Sequence, residues 1–261
     1  MDAEVSGNKW FKLRYHLAQT LASGKSMLTF GGAWSNHILA TAALCAEYGI
    51  PCTGIIRGEQ PANPSRTLLR AAELGMELCF VSRTNYAANV LPAHIQPDSF
   101  HIIPEGGYGE TGADGAATIR ETFTGQYNLI CCAAGTGTML AGLINSAPKT
   151  QRVLGFSVLK DQGSLEERVR GLLHARNDGW AMNHQFHFGG YAKHSTELVD
   201  FMNRFYEATG IPTDFVYTGK LFYGVDKLVR RGTFAKNTSI LVIHSGGLAG
   251  NAGLPKGTLM Y

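Results

Sequence analysis

Four short polar segments hold the residue types that could do chemistry: Gly7-Asn8-Lys9-Trp10-Phe11-Lys12, Gly31-Gly32-Ala33-Trp34-Ser35-Asn36-His37, Gly135-Thr136-Gly137-Thr138 and His244-Ser245-Gly246-Gly247. A lysine set between Gly-Asn and an aromatic suits an enclosed place where its ammonium can lose a proton and the amine can act as a nucleophile. Lys12, three residues on, shares its side if the segment is helical, and the pair reads equally as the solvated basic start of a surface helix. The Gly-Thr-Gly-Thr loop follows an apolar run and precedes a helix, so its N–H groups and hydroxyls can face an anion. A plain strand-to-helix turn fits the same residues. The spacing is not G-x-G-x-x-G and no Walker lysine follows, which argues against dinucleotide and ATP sites.

The Gly31 to His37 segment lies at another strand-to-helix turn. Ser35 or Asn36 can cap the helix, and the length of the polar run also suits binding of a carboxylate or ring oxygen. His37 reads as readily as a packed histidine. The turn lacks G-x-S-x-G, so no hydrolase nucleophile elbow is expected. The five cysteines, Cys45, Cys52, Cys79, Cys131 and Cys132, include no C-x-x-C pair and lie mostly in apolar runs. They are expected to be reduced, buried and structural. Cys131 and Cys132 point to opposite faces of a strand, so no metal site is expected.

These segments must be positioned by an alternation of short apolar runs and longer amphipathic ones, the pattern of βα units. Strands are expected over 27–30, 53–56, 78–81, 100–103, 129–133, 152–158 and 239–243. Helices are expected over 36–48, 65–74, 86–95, 114–123, 139–145, 165–174, 195–208 and 222–230, and a parallel sheet follows. No linker or repeat divides the chain, so a domain boundary is a compact crossing, placed near Gly125.

Composition agrees with an α/β enzyme. The chain has 261 residues, 44% hydrophobic and 16% charged, enough to bury a large core. Its net charge of +3 is scattered, which excludes a basic stripe for nucleic acid or membrane. No apolar run is long enough to span a bilayer, and the first residues lack the pattern of a signal segment, so a cytoplasmic protein with a small-molecule partner is expected.

In this order the segments resemble the fold-type II enzymes that use pyridoxal 5'-phosphate (PLP), and more narrowly the 1-aminocyclopropane-1-carboxylate (ACC) deaminase / D-cysteine desulfhydrase family. The likeness extends over Ile103-Pro104-Glu105-Gly106-Gly107, Gly189-Gly190-Tyr191 and Asp214-Phe215-Val216-Tyr217-Thr218-Gly219-Lys220. It implies a two-domain α/β fold of open twisted parallel sheets with helices on both faces, similar to tryptophan synthase beta. The smaller domain would cover 13–125 and the larger, cofactor-binding one 1–12 and 126–261. Six residues precede Gly7, fewer than in the family, so the N-terminal part of the larger domain is expected to be missing.

The resemblance also implies roles. Lys9 looks like the lysine that carries the cofactor, and Lys12 like a cation beside its phosphate. Gly135, Thr136, Gly137 and Thr138 look like the phosphate loop, and Asn36 like the contact to the ring 3'-oxygen. Ser35 resembles a substrate-carboxylate contact and proton carrier, and Tyr191 and Tyr217 the active-site tyrosines, although either tyrosine alone reads as a packed aromatic. Thr218 or Ser245 would face the pyridine nitrogen. A homodimer acting on a small amino acid is implied.

The residue after Tyr217 bears on the reaction, because ACC deaminases carry a glutamate there and this chain has Thr218. A neutral hydroxyl leaves the ring nitrogen unprotonated and the electron sink weaker. The expectation is therefore a D-cysteine desulfhydrase-like β-elimination giving pyruvate, ammonia and sulfide. ACC deamination is the alternative, with a racemase, a serine-type dehydratase or a PLP-binding protein without turnover beyond it. The chain departs from the family pattern at Thr138-Met139, Phe215 and Ser245.

Overall fold

The computed structural model describes Val5, residues 7–160 and residues 163–261. The chain divides into two compact units, Met1–Gly112 and Ala113–Tyr261. Each is built on a four-stranded, wholly parallel sheet.

The first unit holds α1 (Asn8–Ser23), β1 (Ser26–Gly31), α2 (Asn36–Tyr48), β2 (Cys52–Arg57), α3 (Arg66–Glu73), β3 (Glu77–Val81), α4 (Arg83–Ala87) and β4 (Phe100–Ile103), in strand order β3-β2-β1-β4. Alternate residues of each strand enter different cores. Met27 and Ile56 pack with Leu13 and Leu17 of α1, Ile38 and Leu44 of α2 and Leu68 of α3. Leu28, Phe30 and Ile55 pack with Tyr86 and Ile95. Both faces are thus covered, as a parallel sheet requires.

In the second unit α5 (Glu110–Ala117), which spans the boundary, leads to β5 (Leu129–Ala134), α6 (Thr138–Ser146), β6 (Arg152–Ser157), α7 (Ser164–Arg170), β7 (Trp180–Asn183), α8 (Thr196–Thr209), α9 (Thr218–Arg230) and β8 (Ile240–Val242). The strand order is β7-β6-β5-β8. Cys131, Phe156, Leu198, Met202 and Leu221 form the core under α8 and α9. All five cysteines are free and buried.

The structure differs from the sequence reading in several places. The division falls at Gly112 and Ala113, not near Gly125, because the end of α5 packs tightly on α6. A Cβ on Gly142 would lie 2.4 Å from the Ala113 carbonyl oxygen. α1 packs wholly within the first unit, whereas the family resemblance assigns residues 1–12 to the larger domain. The helix expected over 86–95 is instead α4, which starts earlier and stops when Asn89 turns left-handed (φ 54°), the Val90 N–H closing onto the Asn85 carbonyl at 2.9 Å. Strand β7 lies outside the expected elements: three half-buried residues and the exposed Ala181 at a sheet edge give no clear alternation.

Candidate functional site

In each unit the polar segments leave the carboxyl ends of neighbouring parallel strands, where open α/β sheets place ligands. In the first, β1 runs into Gly31 to His37 and its neighbour β4 into Pro104 to Gly107. In the second, β5 runs into Gly135 to Thr138 and its neighbour β8 into His244 to Gly247.

Within the first unit, α1 buries Asn8, Lys12, His16 and Thr20, one residue per turn along a single face. Lys9 stands beside them and donates from Nζ to Asn8 Oδ1 at 2.8 Å. Lys12, almost wholly buried, donates to the Gly106 carbonyl at 3.0 Å. Gly107 holds φ +68°, a left-handed conformation that favours glycine, and a Cβ there would make ordinary van der Waals contact with Lys12 Cβ at 3.4 Å and His37 Cε1 at 3.6 Å. The first five residues of α1 hold two lysines, Lys9 and Lys12, and no acid. Helix N-termini carry partial positive charge, so this end is built for an anion.

The turn between β1 and α2 needs glycine at Gly31, where a Cβ would lie 2.5 Å from Ile38 Cγ1 and 2.8 Å from Ser35 Oγ. Ser35 caps α2 by accepting from the Ile38 N–H at 3.3 Å, leaving its own hydroxyl proton uncommitted by the cap. Asn36 opens the helix. His37 is buried and lies 2.9 Å from Thr29 Oγ1, which itself donates to the Ile103 carbonyl at 2.9 Å. Thr29 spends its proton on Ile103, so it accepts from His37 Nε2–H, and Nδ1 is left as a bare acceptor. Burial holds His37 well below the usual histidine range, with Lys12, Lys9 and His16 adding to it. His37 is therefore a neutral, single-tautomer group beside two cations, which composition and spacing did not reveal.

In the second unit Gly137 takes φ +87° at the start of α6, where no side chain caps the helix. A Cβ on Gly137 would lie 2.8 Å from Val169 Cγ2, and one on Gly135 would lie 3.0 Å from Tyr217 Cε1. Thr136 and Thr138 hydroxyls are 3.0 Å apart. An uncapped helix start flanked by two hydroxyls and close-packed glycines has the donor set of a phosphate cradle.

Tyr217 meets Tyr191 edge to face, with ring centroids 6.1 Å apart. Asp214, fully buried, fixes the start of α9 by accepting at 2.7–2.9 Å from the N–H groups of Val216, Tyr217 and Thr218 and from the Thr218 hydroxyl. Burial pushes its carboxyl up, against the pull of these donors. The four bonds occupy both oxygens and leave no room for a proton, so the group is held as the carboxylate. Thr218 Oγ1 also accepts from the Asp214 N–H at 2.8 Å, so its hydroxyl is spent in both directions. Ser245, buried just past β8, has no such commitment.

Lys220 closes the Asp214 to Lys220 motif. It is buried and donates to the His187 and Gly190 carbonyls at 2.9 and 2.8 Å, pinning the loop that presents Tyr191. Burial pulls its ammonium down to about 8.

Comparison with known proteins places these features in a family. Residues 4–246 match the model of the pyridoxal-phosphate dependent enzymes. The chain is 30% identical to a putative 1-aminocyclopropane-1-carboxylate deaminase of Thermotoga maritima, over 94% of this chain and 85% of that protein. It is 26% identical to the bifunctional D-cysteine desulfhydrase/1-aminocyclopropane-1-carboxylate deaminase, mitochondrial, of Arabidopsis thaliana, over 95% and 70% of the two chains. A crystal structure of an ACC deaminase homologue superposes with a TM-score of 0.80 at 26% identity, covering 94% of this chain and 81% of that one. Maize serine racemase shares the fold, with a TM-score of 0.64 at 15% identity over 93% and 80%. The uncapped, glycine-tight start of α6 and the lysines at the start of α1 agree with the match over residues 4–246: this chain belongs to the pyridoxal-phosphate dependent enzyme family.

Proposed function

We propose that the chain eliminates the β-substituent of a small D-amino acid, with D-cysteine and water giving pyruvate, hydrogen sulfide and ammonia. PLP, when bound, supplies an electron sink for negative charge at the substrate α-carbon. Lys9 would carry it covalently, Lys12 and the Gly135 to Thr138 loop would meet its phosphate, and Asn36 its ring oxygen. Lys9 Nζ would also take the α-proton of the bound substrate. Ser35, whose Oγ accepts the helix-capping bond and can still donate, receives the substrate carboxylate. Tyr217, held at the start of α9 by Asp214, and Tyr191, held by the Lys220 loop, flank the substrate.

The observation that carries this choice of reaction is the state of Thr218. The residue that would be a glutamate in an ACC deaminase is a threonine, its hydroxyl is spent on Asp214, and the Asp214 carboxylate is saturated by backbone donors. Ser245 would then offer its hydroxyl to the ring nitrogen, a neutral partner that would not favour protonation there. Purified, PLP-loaded protein is expected to release pyruvate and sulfide from D-cysteine with a kcat/KM above that for 2-oxobutyrate from ACC. 2-Oxobutyrate from ACC with no sulfide from D-cysteine would reverse the assignment. The name of the Arabidopsis relative favours ACC as a second substrate of the same site. The reading includes a cytoplasmic homodimer, for which sedimentation of the holoenzyme is the check. Among the described residues no helix is long and apolar enough to cross a membrane.

A further inference from the structure

At the β3 edge of the first sheet, away from Lys9 and Lys12 on α1, three donors of different chemistry converge. Glu77 and Cys79 stand two apart on β3 and so share a face, and His94 comes from the segment between α4 and β4. Cys79 Sγ is 3.7 Å from Glu77 Oε1 and 3.7 Å from His94 Nε2, and His94 Nε2 is 3.8 Å from that same Glu77 oxygen. These separations form a nearly equilateral triangle, so a point at its centre lies about 2.2 Å from all three atoms, within the span of zinc bonds to sulfur, nitrogen and oxygen, about 2.0–2.3 Å. An ordinary surface ion pair would need only His94 and Glu77. Equal placement of a sulfur against both is what a shared cation requires.

The surroundings hold the triangle. Thr53, opposite Glu77 on β2, donates to Glu77 Oε2 at 3.1 Å and so turns Oε1 toward the other two donors, the outer-shell contact that metal carboxylates use. Ile95 is buried in the cluster that includes Cys79, Val81 and Tyr86, which anchors the backbone beside His94 over an apolar floor. Glu77 and His94 are themselves largely exposed, so a cation can enter from solvent.

We propose that Glu77, Cys79 and His94 bind a zinc-class divalent cation, with water in the fourth position. The cation takes a carboxylate oxygen of Glu77, the Nε2 lone pair of His94 and the Cys79 sulfur, whose thiol proton passes to solvent, with no change of oxidation state. Bound there, it ties the edge strand β3 to the segment leading into β4 and guards an otherwise open sheet edge.

The test is a calorimetric titration of the PLP-loaded protein with zinc, paired with X-ray absorption at the zinc edge. One zinc per chain is expected, with a single sulfur neighbour at about 2.3 Å and the rest nitrogen or oxygen. Cys79→Ser should remove the sulfur neighbour, and His94→Gln should weaken binding roughly tenfold or more, with Thr53→Val causing a smaller loss. The thermal midpoint of the parent should rise with zinc and that of Cys79→Ser should not. Absence of zinc binding, a bound zinc without sulfur, or unchanged affinity in Cys79→Ser would each overturn the proposal. These side chains lie on the surface or are replaced conservatively, so the variants fold.

Discussion

Ser35 caps α2 through its hydroxyl oxygen, as the local preference for hydroxyl residues at a helix start dictates. His37 was open between a ligand and a packed histidine, and only the contact through Thr29 to the Ile103 carbonyl, which joins α2, β1 and β4, fixes its tautomer. Nuclear magnetic resonance of the imidazole nitrogens should show the proton on Nε2 and no titration from pH 8 down to 5, since burial holds the group neutral. A change of charge within that window would contradict the assignment. Gly107→Ala tests the left-handed backbone beside it. A side chain at φ +68° should cost about 1 kcal/mol in urea unfolding. It should also weaken PLP binding, measured by titration.

At the scale of elements, the helices that follow glycine loops were read well because their starts are written locally in serine, threonine and glycine. α4 and β7 were not: one is ended by a left-handed Asn89 and the other is a short half-buried edge. α9 began four residues earlier than expected because its start depends on Asp214, whose role appears only when four donors close around it. Asp214→Asn should lower stability by about 2 kcal/mol or more, because an amide puts N–H groups where N–H groups already point. Chemical denaturation reads this directly. The Lys220 ammonium plays the same part for the loop from His187 to Tyr191. Lys220→Met should lower kcat roughly tenfold to a hundredfold by loosening Tyr191, and limited proteolysis should cut that loop faster than in the parent.

For the whole molecule, the alternation of apolar runs disclosed parallel strands and the family resemblance two domains, but neither fixed where one unit ends, because tight packing of α5 on α6 depends on Ala113 meeting Gly142. Nor could spacing reveal Glu77, Cys79 and His94, which are joined by the fold. Acid stability follows from His16, which burial and its neighbour His101 pull down to about 4 from an ordinary 6.5. The unfolded chain then binds more protons between those values, so stability is full above about pH 6.5 and is lost as pH falls toward 4, by on the order of 3 kcal/mol. His16→Gln should flatten the dependence of the thermal midpoint on pH over that window. A steeper slope would contradict the buried neutral histidine. The central claim concerns Lys9, and the direct measurement is borohydride reduction of the PLP-loaded protein followed by peptide mass mapping. The cofactor should be fixed on the peptide carrying Lys9 and be absent from Lys9→Ala. A cofactor fixed on Lys12, on Lys220 or nowhere would contradict the assignment.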